Sequence, residues 1–251
     1  PAATSSGGTG TQTTSAHVRS SPGRALPDTA LVISSYTPTV RALGHSRASR
    51  PDTALPASLV VPVPDLPGAE LPGVTVETAA IAAMIPGTHV LAQPTRTDVL
   101  AALPAYRIVH FSGQGYADWT EPTRSHLILT DHATTPLTVA DITALNLDAD
   151  LAYLSACGTA LAPPRLADES FHFTGAFYLA GYRHVVGALW PINDDAAAKF
   201  AEDFYSHLTN HGTTPPSSDL AAHALHRATT RLRTQYPMAP TLWAAHTHTG
   251  R

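Results

Sequence analysis

Only one of the 251 residues is cysteine, Cys157, and only one is lysine, Lys199. A lone cysteine excludes an internal disulfide and a cysteine-cluster metal site. It also suits a reducing compartment such as the cytoplasm. Charged residues make up 14% of the chain, 15 basic against 19 acidic, with a formal net charge of −4. No Lys/Arg run occurs, so a nucleic-acid partner held by a basic patch is not expected. No stretch of about 18 apolar residues occurs, and no membrane-spanning helix is expected. GxGxxG, P-loop and HExxH patterns are missing, and no cofactor or metal is expected. The chain starts at Pro1, without Met or a basic-apolar leader, and reads as a piece of a longer protein.

What is present is a hydrophobic content of 43%, enough for one domain with a real core. Residues 1–28 are rich in Ser, Thr, Gly and Pro and read as a flexible linker. The apolar run 30–34 starts ordered structure, and 44–57 reads as a loop. From residue 58 strands and helices alternate. Strands are expected at 59–63, 89–92, 106–111, 127–129, 151–155 and 184–190. Helices are expected at 74–84, 95–103, 139–145, 169–179, 194–208 and 219–233, the last two with capping residues at their starts. Near-continuous apolar strands separated by helices argue for an α/β class: a mostly parallel sheet with helices on both faces. In such sheets the ligand crevice lies beyond the carboxyl ends of the strands.

Two strand ends carry unusual sequences, His110-Phe-Ser-Gly-Gln-Gly115 and Leu154-Ser-Ala-Cys-Gly-Thr159. Cys157, flanked by small residues just past an apolar strand, fits the place of a nucleophile. A free cysteine is also among the most buried residue types, so a packed, inert thiol stands beside that reading. Gly113-Gln114-Gly115 fits a loop whose backbone donates to an oxyanion, or a tight turn that happens to hold two glycines.

The pair of motifs resembles the CHAT family of caspase-like cysteine peptidases. That family carries an H-F-[AS]-[CG]-H-G stretch followed by an [LS]-S-A-C-x-T stretch. Further segments match in order: Ser35-Tyr-Thr-Pro-Thr39, Leu71-Pro-Gly with Glu77, Asp168-Glu169, Ala176-Phe177, Ala180-Gly181, His184-Val-Val-Gly-Ala-Leu-Trp-Pro191 with Asp194, Phe204-Tyr205 and Pro240-Thr-Leu-Trp-Ala244. The resemblance implies a caspase-like three-layer sandwich over 29–251, in a larger bacterial protein that cuts a partner protein. Its implied partners are a protein or peptide substrate, and regulatory domains or repeats in the same or a partner chain. Cys157 would be the nucleophile, with the backbone N–H groups of Gly115 and Cys157 as oxyanion donors.

The family's catalytic histidine falls on Gln114. Glutamine hydrogen-bonds but cannot take up and release a proton near neutral pH. The resemblance therefore implies an inactive or strongly impaired endopeptidase, or a natural pseudopeptidase that binds peptide or serves as a scaffold. His110 is read as a structural residue inside its strand. Asp194 and Asp168 are candidates to receive a basic substrate residue, and both also read as helix-start residues. His246 and His248 in the tail read as a frayed end rather than metal ligands. His207, His211, His223 and His226 read as ordinary surface or core histidines, and Trp119, Trp190 and Trp243 as packing anchors.

Overall fold

The strands alternate between two cores, and this alternation builds the sheet. Leu59, Val61, Val109, Phe111, Ala152, Leu154 and Val185 face one core. Their neighbours Val60, Ile108, Leu151, Tyr153 and Val186 face the other. In a computed structural model, which describes residues 32–37, 44, 58–63, 70–118, 120–157 and 173–251, both faces are covered by helices. The chain divides into Pro1–Val32 and Ile33–Arg251. Of the first unit only Val32 is described, and it is exposed. The expected linker at 1–28 lies outside the described residues. All elements below belong to the second unit.

In chain order these are β1 (Leu59–Pro62), α1 (Pro72–Met84), β2 (His89–Val90), α2 (Arg96–Ala102), β3 (Ile108–Tyr116), β4 (His126–Leu127), β5 (Leu137–Thr138), α3 (Val139–Thr143), β6 (Ala149–Cys157), α4 (Phe173–Ala180), β7 (Tyr182–Ala188), α5 (Asp194–Leu208), α6 (Ala221–Gln235), α7 (Pro240–Trp243) and β8 (His246–Gly250). The sheet order is β2-β1-β3-β6-β7-β8. The first five strands are parallel and β8 is antiparallel to β7. A small β4–β5 hairpin joins β3 antiparallel. Residues of α2, α3 and α4 fill one core and those of α1, α5 and α6 the other. The expected α/β sandwich is observed.

Local signals hold where they are strongest. Thr95 caps α2 in a reciprocal box with Asp98, and Thr138 caps α3 in the same way with Asp141. Asn193 rather than Asp194 caps α5, accepting from the Ala196 N–H. No side chain caps α6, contrary to expectation; a single 3-10 turn at Ser218–Leu220 leads into it. The run at 30–34 is not a strand where it is described: residues 32–35 are irregular and exposed, and only Tyr36 forms a bridge, to Thr249.

The tail is the main departure. Residues 246–250 are not frayed but form β8, with five Cα partners on β7. His248 is 2% exposed and its Nε2 lies 3.1 Å from Nδ1 of His184, itself 1% exposed. His246 stacks on Phe200 with ring centroids 3.8 Å apart. Burial pushes His184 down to about 4, and His246 and His248 to about 3. These rings therefore pack as neutral aromatics at pH 7.

Candidate active site

β3 and β6 lie side by side in parallel from Ile108–Leu151 to Gln114–Cys157. Both strands run further than their apolar residues suggest, so Ser112-Gly-Gln-Gly115 and Ala156-Cys157 are strand rather than turn. Gln114 and Cys157 are the last Cα pair of that ladder, which puts their backbones about 5 Å apart at ordinary strand spacing. Gly115 then pairs with Leu127 of β4. The site therefore sits at the carboxyl edge of the sheet.

The other edge of β3 opens at the same level. Pro62–Ser112 is the last β1–β3 pair, and the Val63 N–H donates to the Ser112 carbonyl at 2.9 Å. The Gln114 carbonyl, which points to the same edge because residues two apart in a strand do, accepts from the Ile128 N–H at 3.0 Å. β4 thus takes over where β1 stops. Between them lies a small gap, with room for about one water molecule, lined by Val61, Val63, Phe111, Gln114, Leu127 and Leu129. β1 and β3 flank the point where the strand order reverses, since β2 lies on one side of β1 and β3 on the other. Crevices at such points are the usual ligand sites of parallel sheets.

Below Gln114, on the same face of β3, lie Ser112 and His110, both buried. The Ser112 hydroxyl donates to Oε2 of Glu77 on α1. The other carboxylate oxygen stands 3.3 Å from Nε2 of His110, without hydrogen-bond alignment. Nδ1 of His110 is 3.2 Å from the Tyr205 hydroxyl, and its ring stacks on Tyr153 at 4.9 Å. Burial, then the Glu77 charge, pushes both Tyr205 and Tyr153 phenols well above their ordinary range. His110 is thus a core residue, as its place inside the strand implies. Neither Glu77 nor Tyr205 stands out as a site residue in the sequence. The available signal was an acid on the apolar stripe of α1, between Val74 and Ile81.

Asp194 opens α5 but turns to α1, where its Oδ2 accepts from the Gly73 N–H at 2.5 Å. A Cβ at residue 73 would lie 2.6 Å from that carboxylate carbon, so a larger residue there requires the Asp194 side chain to swing away. Asp168 and Trp119 lie outside the described residues, as does the side chain of Cys157. The histidines His207, His211, His223 and His226 sit on or beside α5 and α6, none of them buried. Trp190 and Trp243 are half-buried, each donating its indole N–H to a backbone carbonyl, of Thr241 and Tyr236 respectively. Among the described residues there is no cluster of His, Cys, Asp and Glu placed to hold a metal, and no helix long and apolar enough to cross a membrane.

No curated protein matches the chain in sequence. Among solved structures, the Saccharomyces cerevisiae separase–securin complex is similar over 84% of this chain and 13% of that one, at 15% identity and a TM-score of 0.57. The complex of Porphyromonas gingivalis RgpB pro- and mature domains is similar over 78% of this chain and 47% of that one, at 9% identity and a TM-score of 0.50. The chain therefore spans an eighth to a half of these proteins, and the likeness is one of fold. Residues 14–251 match the CHAT domain, in agreement with the two paired motifs and the caspase-like sheet, and the chain belongs to the CHAT domain family.

Proposed function

We propose that this domain is a caspase-like cysteine endopeptidase module whose chemistry is silenced or strongly impaired at Gln114. The observation that supports it is the pairing of Gln114 with Cys157 at the end of β3 and β6, at the carboxyl edge of the sheet. In the full reaction the Cys157 sulfur attacks the scissile carbonyl carbon, and its proton passes to a neighbouring base. The carbonyl oxygen becomes an oxyanion, received by the backbone N–H groups of Gly115 and Cys157. The same base returns the proton to the leaving amine, and water then releases the acyl group. Gln114 can hold a hydrogen bond but can neither take nor return that proton. It also supplies no positive charge to favour the thiolate.

In this reading the parent protein cuts a partner protein in a bacterial cytoplasm, under regulatory domains or repeats in the same or a partner chain. Asp194 and Asp168 receive a basic residue before the scissile bond. Asp194 does so while its Oδ2 accepts from the Gly73 N–H. The second reading is a natural pseudopeptidase that binds peptide or acts as a scaffold, and it is favoured by Gln114 itself. A pooled fluorogenic peptide set, with basic and acidic residues before the scissile bond, separates the two. Cleavage by Gln114→His, abolished by Cys157→Ala, supports a peptidase silenced at one position. Silence in both chains supports the binding role.

A further inference from the structure

We propose that Glu77 is a positioning residue that fixes the carboxyl end of β3, and with it the side chain at position 114, through its hydrogen bond to Ser112. The inference deepens the peptidase reading above and rests on it for its meaning, though not for its first test.

A buried carboxylate is costly unless it is paired and hydrogen-bonded, and an apolar side chain would fill the same space without that cost. Glu77 is 3% exposed in a helix whose other buried members are Gly73, Val74 and Ile81. One of its oxygens accepts from the Ser112 hydroxyl, and the other stands 3.3 Å from Nε2 of His110 without hydrogen-bond alignment, both residues lying on one face of one strand. The next residue on that face is Gln114. Beyond Ser112, β3 has lost β1 as a neighbour, and the small gap lies where β1 would have continued. The strand end therefore keeps its place through β6, through β4, and through the Glu77 tie immediately before the gap.

The tie has a fixed base. One helical turn before Glu77, the Gly73 N–H is held by Asp194 of α5. The same α5 presents the Tyr205 hydroxyl to the second nitrogen of His110. α1 and α5 thus grip β3 from the same side at two levels. A nucleophile and its base need placement within about half an ångström, and second partners of this kind supply it.

The first test is hydrogen exchange on the chain as it stands, with Glu77→Gln and the milder Ser112→Ala. Amides of 112–116 are expected to exchange at least tenfold faster in both variants, with those of β1 and β7 unchanged. No change, or an equal rise in every strand, overturns the proposal. The second test reads the pH profile of Cys157 alkylation, which the single cysteine makes unambiguous. Gln114→His is expected to move the profile to lower pH, and Glu77→Gln added to it to move it back. A double variant that matches Gln114→His overturns the proposal. If Gln114→His leaves the profile unmoved, the peptidase reading fails by itself, and the exchange result alone decides the role of Glu77.

Discussion

Gln114 and Cys157 form the terminal Cα pair of the β3–β6 ladder, and one step further β3 changes partner to β4. In the proposed chemistry an imidazole at 114 supplies the base that Gln114 lacks, on the backbone paired with that of Cys157. Gln114→His is therefore expected to raise the rate of Cys157 alkylation at pH 6 about tenfold or more, because the imidazolium favours the thiolate. Labelling with iodoacetamide followed by intact-mass spectrometry measures this. Equal rates in the two chains would mean that the pair is not arranged for proton transfer.

Stability is expected to fall as the pH drops below about 6.5. His184, His246 and His248 are all pushed below their ordinary value by burial, to about 4, 3 and 3. Above 6.5 these groups are neutral in both the folded and unfolded chain. Below it the unfolded chain takes up protons first, so folding is penalised down to the folded values. The loss is about 1.4 kcal/mol per pH unit for each histidine in that window. Urea midpoints at pH 7.5, 6, 5 and 4 test it, and a midpoint flat from 7.5 to 5 contradicts it.

Gly181 joins α4 to β7 with φ at +115°, and a Cβ there would lie 1.9 Å from the Leu147 carbonyl oxygen. That oxygen is backbone and cannot swing away. Gly181→Ala is expected to cost at least about 2 kcal/mol, or to prevent soluble expression. Chemical denaturation beside Gly87→Ala, whose Cβ would meet nothing, separates the clash from the shared cost of positive φ.

Asp141 serves two structures at once. It completes the capping box of α3, and it binds Arg96 through two bonds of 2.8 and 3.1 Å. The Arg96 guanidinium bond, first among its causes, lowers the Asp141 carboxyl to about 2. Asp141→Ala is expected to cost about 1–3 kcal/mol, allowing for solvent screening of the partly exposed pair. Arg96→Ala should cost less, since the box remains. Denaturation of both variants at low and high salt checks the order.

The parts of this fold that local chemistry dictates were legible. The β-branched run at 59–62 and the Thr95 capping box behave as their sequences imply. The strand ends did not, because Ser112-Gly-Gln-Gly115 looks like a turn when read alone. Only the ladders to β6 and β4 hold it extended, and those partners are distant in sequence. The candidate site is visible in the sequence as two motifs, but their register is not. Nor is Glu77, whose meaning depends on which strand its helix covers. For His246 and His248 the sequence shows only their polarity, whereas the fold uses their neutral rings.

The edge formed by Tyr36 and β8 has a mechanical consequence. Tyr36 runs parallel to β8, its N–H donating to the His248 carbonyl and its carbonyl accepting from the Gly250 N–H, both at 2.8 Å. Tension applied between residue 33 and residue 251 pulls these two segments in opposite directions along their length. Both bonds then bear the load in shear rather than opening one after the other. The next seam to be strained is β7–β8, where His184 meets His248.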